Sequence, residues 1–374
     1  EGQQENTSGE EHYLAFERWG HSALIKTYNT DAQVPDSAGT ASALHTGVKT
    51  RIGALSVYPG QSLDACAADA VLPATTLERA QVRGMATGIV STTRLTHATP
   101  ASAYAHLPDR DWESDAALPP AASAAGCRDV ARQLVDTWRS PAGPVDVALG
   151  GGRREFLPAG AGGRRGDGRD LTAEWAAAGG VFVASADGLR ALDASDDAAV
   201  LGLFTASHMA YEHDRDDALE PSLAEMTEFA IRRLSRNTNG FYLMVEGGRV
   251  DHAHHATNAY RALTDTLAFT RAVEAAVRLA DPDETLIIVT ADHGHVFNMA
   301  GYPRRGNPIL GLVRPPAGSG EGGAAAAQAE DGRPYTTLGY YTGPVLRSPD
   351  GPPLSRDTVL DPNFRQEAAV PLRS

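Results

Sequence analysis

The segment EGGRVDHAHH, residues 246–255, contains one glutamate, one aspartate and three histidines. Carboxylates together with imidazoles are donors that suit zinc, whereas carboxylates with water suit magnesium. Asp251 and His255 are four residues apart, so one helical turn would put both side chains on the same face. The segment therefore predicts a metal site, and a solvated polar loop is the alternative interpretation.

A second candidate is the segment TADHGH, residues 290–295, which follows the apolar run TLIIV. Asp292 and His293 are adjacent, and at the end of a strand they can supply two ligands to one ion. An Asp-His pair alone is common in proteins. The segment becomes a stronger indication of a metal site because the first cluster is present in the same chain.

A third candidate is Ser37, within the segment VPDSAGTASAL, residues 34–44. Ser37 follows Asp36 and opens a stretch of small helix-forming residues. Its hydroxyl could therefore lie at a helix N-terminus, where backbone N–H groups attract an anion. The other interpretation is that Asp36 or Ser37 only caps the helix. These residues by themselves favour the cap.

Strands and a helix are predicted where they could bring these candidates together. Asn258–Leu279 has apolar residues at helical spacing and predicts a crossover helix. Glu246 and the pair Asp292 and His293 directly follow predicted strands, and ligands gather at the carboxyl ends of such strands. The pattern predicts an α/β fold, a three-layer α/β/α sandwich with a mostly parallel central sheet. Four apolar runs predict the strands: Thr87–Thr92, Val145–Leu149, Phe241–Val245 and Thr285–Thr290.

Length and composition limit the remaining possibilities. The 374 residues are 42% hydrophobic and 21% charged, which predicts one large globular domain over residues 1–374, with surface insertions near 158–170 and 315–333. No apolar run approaches the roughly 20 residues of a membrane span. The net charge of −14 argues against nucleic-acid binding. Cys66 and Cys127 form no Cys-x-x-Cys pair, which leaves a disulfide or two buried thiols.

Four segments, in this order, resemble the hallmark segments of the alkaline phosphatase family, especially its animal-like branch: VPDSAGTASA, STTRLTHATPASAYAH, VEGGRVDHAHH and TADHGHVFNMAGYPRRGNPILGL. The resemblance runs from about Tyr28 to Glu367. It implies an alkaline phosphatase-like fold and the hydrolysis of phosphate monoesters at alkaline pH through a phosphoseryl intermediate. It also implies a homodimer and an extracytoplasmic location, which is secreted, periplasmic or at the cell surface. It leaves membrane anchoring by lipid undetermined.

The resemblance assigns roles to individual residues around two zinc ions and one magnesium ion. Ser37 matches the nucleophile, and a zinc ion beside its hydroxyl would favour the alkoxide. Arg110 aligns with the arginine whose planar fork grips two phosphate oxygens, with a surface salt bridge as the alternative. The matching metal ligands are Asp251 and His255 for the leaving-group zinc, Asp292 and His293 for the zinc at Ser37, and Glu246 and Thr99 for magnesium.

Further matches involve histidines and both cysteines. His97 matches a residue near the magnesium site and His295 one near the zinc pair, while His252 and His254 have weaker matches. Each of these histidines could instead orient a ligand. Cys66 and Cys127 match positions that form a disulfide in animal-type relatives, and two buried thiols are the alternative.

Two family segments are expected to be absent, so that the sequence is truncated at both ends. Relatives begin with a strand that ends in Gly-Asp-Gly, and none precedes Glu11. Relatives also carry a His-Gly-Gly-Glu-Asp segment after the match to DPNFRQEAAVPL. Each zinc would then lack one protein ligand. The alternative function is a non-catalytic truncated relative that retains the fold and partial metal binding, whereas the Asp-Ser-Ala context and Arg110 disfavour a phosphodiesterase or sulfatase of the same superfamily.

Overall fold

A parallel sheet forms the centre of the fold. Its strands are β1 (Ala86–Arg94), β2 (Val147–Gly151), β3 (Val181–Val183), β4 (Val200–Leu203) and β5 (Phe241–Glu246). They lie in the order β3-β4-β2-β1-β5, and each neighbouring pair is parallel. Two short strands, β6 (Phe297–Met299) and β7 (Leu338–Tyr340), form a separate antiparallel pair. The computed structural model describes residues 9–140, 143–317, 325–341 and 354–365.

Helices alternate with the strands along the chain. Within the part that the structure describes, no helix is both long enough and apolar enough to cross a membrane. The α-helices of that part are α1 (Ser37–Thr46), α2 (Thr76–Val82), α3 (Ala98–Ala101), α4 (Pro120–Ala124), α5 (Val130–Asp136), α6 (Arg153–Phe156), α7 (Leu171–Ala177), α8 (Ala186–Arg190), α9 (Leu223–Leu234), α10 (Arg249–His255), α11 (Ala259–Leu279) and α12 (Arg356–Leu360).

The sheet is the middle layer of the molecule. Successive residues of a strand point to opposite faces of a sheet, and in β1 both faces are buried. Ile89 belongs to one apolar cluster, with Leu77 of α2 and Leu134 of α5. Its neighbour Val90 belongs to another, with Met226 of α9. Helices therefore cover both faces, and the predicted three-layer α/β/α arrangement is confirmed.

Local sequence patterns predict the centre of the sheet well. Each of three predicted strands overlaps an observed one, although β2 begins and ends two residues later than predicted. The predicted crossover helix is confirmed as α11, and Asn258 is its N-cap because its side chain accepts the backbone N–H of Arg261 at 3.0 Å. The confirmed strand predictions are Thr87–Thr92 for β1, Val145–Leu149 for β2 and Phe241–Val245 for β5.

The fourth predicted strand, Thr285–Thr290, is wrong. This segment pairs with no strand in the part of the chain that the structure describes. Its side chains are poorly buried, since Leu286 is 83% exposed and Ile288 is 74% exposed. A run of β-branched residues favours an extended backbone, but a strand also needs a neighbouring edge within hydrogen-bonding distance. Local composition does not specify that edge.

The predicted surface insertions contain more order than their composition indicates. Within residues 158–170, Arg165 is only 1% exposed. Its guanidinium pairs with Asp129 at 2.9 Å and with Asp167 at 2.6 Å, so a buried ion network anchors this Gly-rich stretch. The insertion at Pro315–Arg333 lies partly outside the described residues, which omit 318–324. The single-domain organisation and both insertions remain predictions.

Cys66 and Cys127 form a disulfide, as the family resemblance implies. The two residues are 61 positions apart in the sequence, and closing a loop of that length restricts the unfolded chain by about 4 kcal/mol in the chain-entropy model. We expect a Cys66→Ala/Cys127→Ala variant to lose about that free energy of unfolding, measured by urea denaturation in oxidising buffer. Reduced wild-type protein should behave like the variant. Equal stability of the oxidised wild type and the variant would contradict the expectation.

Candidate active site

Ser37 is the first residue of α1, with its side chain at the helix N-terminus. Asp36, and not Ser37, is the N-cap, because its carboxylate accepts the backbone N–H of Gly39 at 3.1 Å. The Ser37 hydroxyl instead faces His293, whose Nε2 lies 3.3 Å from Oγ. Ser37 is 8% exposed. Asp36 therefore caps α1, and the Ser37 hydroxyl faces His293 instead of capping the helix.

Asp36 connects α1 to three other segments. Its Oδ1 accepts a hydrogen bond from Asn29 Nδ2 at 2.8 Å, and its Oδ2 accepts the Gly53 N–H and Arg110 Nη1, both at 3.1 Å. A Cβ at Gly39 would lie only 2.4 Å from the Asn29 side chain, so glycine is needed for this close approach. Burial alone would raise the pKa of Asp36, but the hydrogen bonds from the Gly39 N–H and from Asn29, together with the charge of Arg110, lower it.

Arg110 is held at two points before any substrate arrives. Its Nη1 bonds to Asp36, and its Nη2 donates to Nε2 of His97 at 2.9 Å. The side chains of Arg110 and Asp36 are 22% and 17% exposed. The guanidinium is therefore held in a partly buried ion pair by Asp36, the residue that precedes Ser37 in the sequence.

The TADHGH segment contacts the start of α1, although the two segments are distant in the sequence. Thr40 Oγ1 donates to Oδ2 of Asp292 at 3.0 Å, across 252 residues. His293 Nε2 lies 3.6 Å from the same carboxylate oxygen. Nδ1 of His293 lies 3.1 Å from the Gly294 carbonyl oxygen. Since a carbonyl only accepts, Nδ1 is the nitrogen that donates there, and Nε2 is the nitrogen that faces Ser37.

A carboxylate and imidazole cluster forms around Asp251 on α10. Oδ1 of Asp251 lies 2.6 Å from His295 Nε2, 3.6 Å from His255 Nε2 and 3.9 Å from His293 Nε2. Burial would raise the pKa of Asp251, but the hydrogen bond from His295 and the charge of His255 outweigh it and lower the pKa to about 2. One carboxylate and two imidazoles, with donor atoms of Asp251, His255 and His295 within 4.8 Å of one another, suit a zinc ion.

Glu246 and Thr99 meet at the carboxyl end of β5. Glu246 is opposite Ser91 in the register of β1 and β5. Its Oε2 accepts hydrogen bonds from Ser91 and from Thr93 at 3.2 Å, and Thr99 also bonds to the carboxylate. Burial and the nearby charge of Asp292 raise the pKa of Glu246 to about 7. Sequence reasoning missed Ser91 and Thr93. They are two residues apart on β1, so their side chains share one face of the sheet, and the register of β1 and β5 puts Glu246 beside them.

A second cluster of histidines contains His97 and His252, which the sequence analysis names, and His208, which it does not. The rings of His97, His208 and His252 have centroids 4.3 to 5.3 Å apart. His208 stands apart from the motifs in the sequence, and no local signal indicates it. His254 lies elsewhere, with Nδ1 2.8 Å from the hydroxyl of Tyr340.

The structure thus brings the predicted site residues into one region. Ser37 contacts His293, and His293 lies beside Asp251 and Asp292. Glu246 is close enough to Asp292 for that charge to raise its pKa. A serine hydroxyl lies at a helix N-terminus, it follows in sequence the aspartate that holds Arg110, and it faces a group of side chains of the kinds that can bind a cation. Such a site can bind a tetrahedral oxyanion ester and attack it.

Comparisons with known proteins match this chain to alkaline phosphatases. A family model described as alkaline phosphatase matches residues 1–374. The chain is 43% identical over 392 residues to the tissue-nonspecific isozyme of alkaline phosphatase from Gallus gallus, and 39% identical over 394 residues to that from Homo sapiens. Each match covers 100% of this chain and 72% of the relative.

Solved structures of alkaline phosphatases are also similar. The enzyme from the Antarctic bacterium TAB5 matches with a TM-score of 0.62 and 26% identity, over 79% of this chain and 76% of that one. A mutant of the TAB5 enzyme with Mg bound in the M3 site matches with a TM-score of 0.62 and 25% identity, over 79% and 75%. The enzyme from Thermus thermophilus matches with a TM-score of 0.60 and 34% identity, over 76% and 53%.

Proposed function

The chain belongs to the alkaline phosphatase family of phosphate monoester hydrolases, and we propose that it works through a phosphoseryl intermediate on Ser37 with bound divalent metal ions. One observation supports this most. The Ser37 hydroxyl lies at the N-terminus of α1, 3.3 Å from His293 Nε2, while the neighbouring residue Asp36 holds Arg110. A nucleophile and a phosphate-binding cation are therefore positioned together.

The donor groups fit the metals that the family resemblance implies. Asp251 and His255, joined by His295, offer one oxygen and two nitrogens, which suit zinc. Asp292 and His293 beside Ser37 are a second such group, and Glu246 with Thr99 offers the oxygen atoms that magnesium prefers. Bound cations would lower the pKa of an adjacent hydroxyl or water and neutralise charge on a leaving oxygen.

The positions of the side chains support the following first half-reaction. Ser37 Oγ attacks phosphorus, its bond to phosphorus forms, and the bond from phosphorus to the alcohol oxygen breaks. Nε2 of His293, which would hold the cation beside Ser37, lies 3.3 Å from Oγ, so that cation would adjoin the hydroxyl and favour loss of its proton. Arg110 is already oriented by Asp36 and His97, so little side-chain entropy is lost when it binds phosphate oxygens. The hydroxyl proton of Ser37 is released to solvent as the new bond forms, and the alcohol departs with one proton taken up from solvent.

The second half-reaction restores the serine. Water attacks phosphorus from the side that the alcohol has left, and the bond from phosphorus to Ser37 Oγ breaks. Ser37 regains a proton and inorganic phosphate remains beside Arg110. Ser91 and Thr93 hold the buried carboxylate of Glu246 by hydrogen bonds throughout.

A turnover measurement tests the proposal. The full chain, supplied with zinc and magnesium, should hydrolyse p-nitrophenyl phosphate and form a phosphoprotein that acid denaturation traps. A metal-loaded, folded chain that does neither would support the alternative, a non-catalytic relative that retains the fold and partial metal binding. Activity towards a phosphodiester but not towards a monoester would contradict the proposed substrate class.

We also propose that the protein is a homodimer and that its location is extracytoplasmic. Both are implied by the family resemblance. The Cys66–Cys127 disulfide supports the location, because disulfides persist in oxidising compartments. Light scattering on the purified chain tests the oligomeric state, and a mass close to the chain's 39.4 kDa would contradict the dimer.

Arg110→Ala is expected to weaken inhibition by inorganic phosphate by about 10- to 100-fold, because hydrogen bonds to a charged group contribute about 1.5–3 kcal/mol. Inhibition constants measured with p-nitrophenyl phosphate as substrate check this. Arg51→Ala is the matched control, since Arg51 Nη2 donates to the Pro108 carbonyl at 2.9 Å and not to the site. Unchanged phosphate inhibition in the Arg110 variant would exclude the proposed role.

A further inference from the structure

Ser56 is held in a backbone conformation that residues other than glycine rarely adopt. Its φ is +43°, and in the part of the chain that the structure describes Thr257 is the other non-glycine residue with a positive φ. The Ser56 side chain is fully buried. Such a conformation is costly for a residue with a Cβ, so it persists only where the surrounding contacts fix it. Strain of this kind is often found near functional sites.

The three polar groups of Ser56 are hydrogen-bonded to three different places in the fold. Its backbone N–H donates to Oγ of Ser42, on α1, at 2.7 Å. Its hydroxyl donates to the carbonyl oxygen of Ser102, the C-cap of α3, at 2.6 Å. Its own carbonyl oxygen accepts a hydrogen bond from Nδ1 of His106 at 2.6 Å. These bonds fix the strained conformation, and they join the nucleophile's helix to residues 102–106.

Two residues just before this serine extend the connection into the site. Leu55 and Leu107 exchange backbone hydrogen bonds of 2.8 and 3.0 Å. The carbonyl oxygen of Gly53 accepts the backbone N–H of Arg110 at 2.7 Å. The N–H of Gly53 donates to the carboxylate of Asp36 at 3.1 Å. The same short segment therefore contacts both the residue that caps α1 and the arginine proposed to bind phosphate.

We propose that Ser56 is a positioning residue that sets the place of Arg110 relative to Ser37. It acts through the carbonyl of Ser102, at the start of the segment that ends at Arg110. A displacement of about 1 Å in a group that binds substrate can cost up to about 100-fold in rate, so the backbone that carries the guanidinium must be held as firmly as the guanidinium itself. This inference rests on the proposed function and adds to it a residue outside the site.

Ser56→Ala in the full chain, supplied with zinc and magnesium, tests the inference. Inhibition of p-nitrophenyl phosphate hydrolysis by inorganic phosphate should weaken by about 3- to 10-fold, because the Ser102 carbonyl loses its donor and the segment that ends at Arg110 is no longer fixed at its start. Thr227→Val is the matched control. It removes an equally buried hydroxyl, which donates to the Leu223 carbonyl on α9 at 2.7 Å, so it should lower the Tm without changing phosphate inhibition.

Two further variants separate positioning from stability. In an Arg110→Ala background, Ser56→Ala should change phosphate inhibition by less than about twofold, because two residues that act through one contact are not additive. Ser56→Gly should unfold at a Tm about 1–3 °C above that of Ser56→Ala, since glycine adopts a positive φ without steric cost. Its phosphate inhibition should nevertheless stay as weak as in Ser56→Ala, because the hydroxyl is missing from both.

Three results would overturn the inference alone: unchanged phosphate inhibition in Ser56→Ala, an equal further loss in the Arg110→Ala background, or inhibition that recovers with the Tm in Ser56→Gly. If Ser56→Ala fails to fold, Ser56→Gly decides, and weakened inhibition in the wild-type background but not in the Arg110→Ala background is then the supporting result. Failure of the proposed function is seen separately. A wild type without turnover, or with phosphate inhibition that Arg110→Ala leaves unchanged, refutes that function and this inference together.

Discussion

Ser37→Ala is expected to lower the turnover of p-nitrophenyl phosphate by about 10³-fold or more, and to abolish the phosphoprotein trapped by acid. The hydroxyl is the proposed point of attachment of the phosphoryl group, and the variant offers no other nucleophile at that position. Steady-state kinetics and mass spectrometry of the acid-quenched protein measure the two effects. Both must occur together if Ser37 is the nucleophile.

The structure predicts that this loss is chemical and not structural. Asp36 makes the capping bond of α1, and the Ser37 hydroxyl contacts only His293 among the hydrogen-bond partners that the structure describes. Stability should therefore change by no more than about 1 kcal/mol, the net contribution of one hydrogen bond. Ser123→Ala, an exposed serine on the short helix α4, is the matched control and should keep full turnover. Undiminished turnover in Ser37→Ala would remove Ser37 from the mechanism.

Local patterns predict those parts of the site that follow regular elements. The apolar run of β5 predicts a strand, and Glu246 at its carboxyl end lies in the site, as expected for a parallel sheet. The spacing of Asp251 and His255 predicts one helix face, and both residues lie on α10 with 3.6 Å between Nε2 and Oδ1. The start of α1 at Ser37 follows from Asp36 and the small residues after it. In each case the determining information lies within a few residues.

Other features depend on contacts between distant segments. His208 follows β4, and its loop is tied to β1 because the Met209 N–H donates to the Thr92 carbonyl at 3.0 Å. A Cβ at Gly151 would lie 2.2 Å from the Ser207 carbonyl oxygen, so this approach requires glycine at the end of β2. No periodicity in the sequence reports such contacts. The same limitation explains why the apolar run Thr285–Thr290 was predicted as a strand.

Asp251→Asn is the other change with a large expected effect. Oδ1 of Asp251 lies close to Nε2 of three imidazoles, those of His295, His255 and His293, at 2.6, 3.6 and 3.9 Å. Asparagine keeps the shape of the side chain but removes its charge. Residues that only orient a metal ligand typically contribute 10- to 100-fold to metal affinity or activity. A direct ligand should contribute more, so turnover is expected to fall by at least about 100-fold.

Zinc content separates a ligand role for Asp251 from a purely electrostatic one. If Asp251 is a ligand, elemental analysis of the purified Asp251→Asn variant should find about one zinc fewer per chain than in the wild type, and excess zinc should restore part of the turnover. Asp197→Asn is the control, because its carboxylate is 96% exposed and 3.7 Å from Arg236, and its zinc content should match the wild type. Full zinc content with reduced turnover in Asp251→Asn would assign the carboxylate to orienting His295 instead of binding the ion.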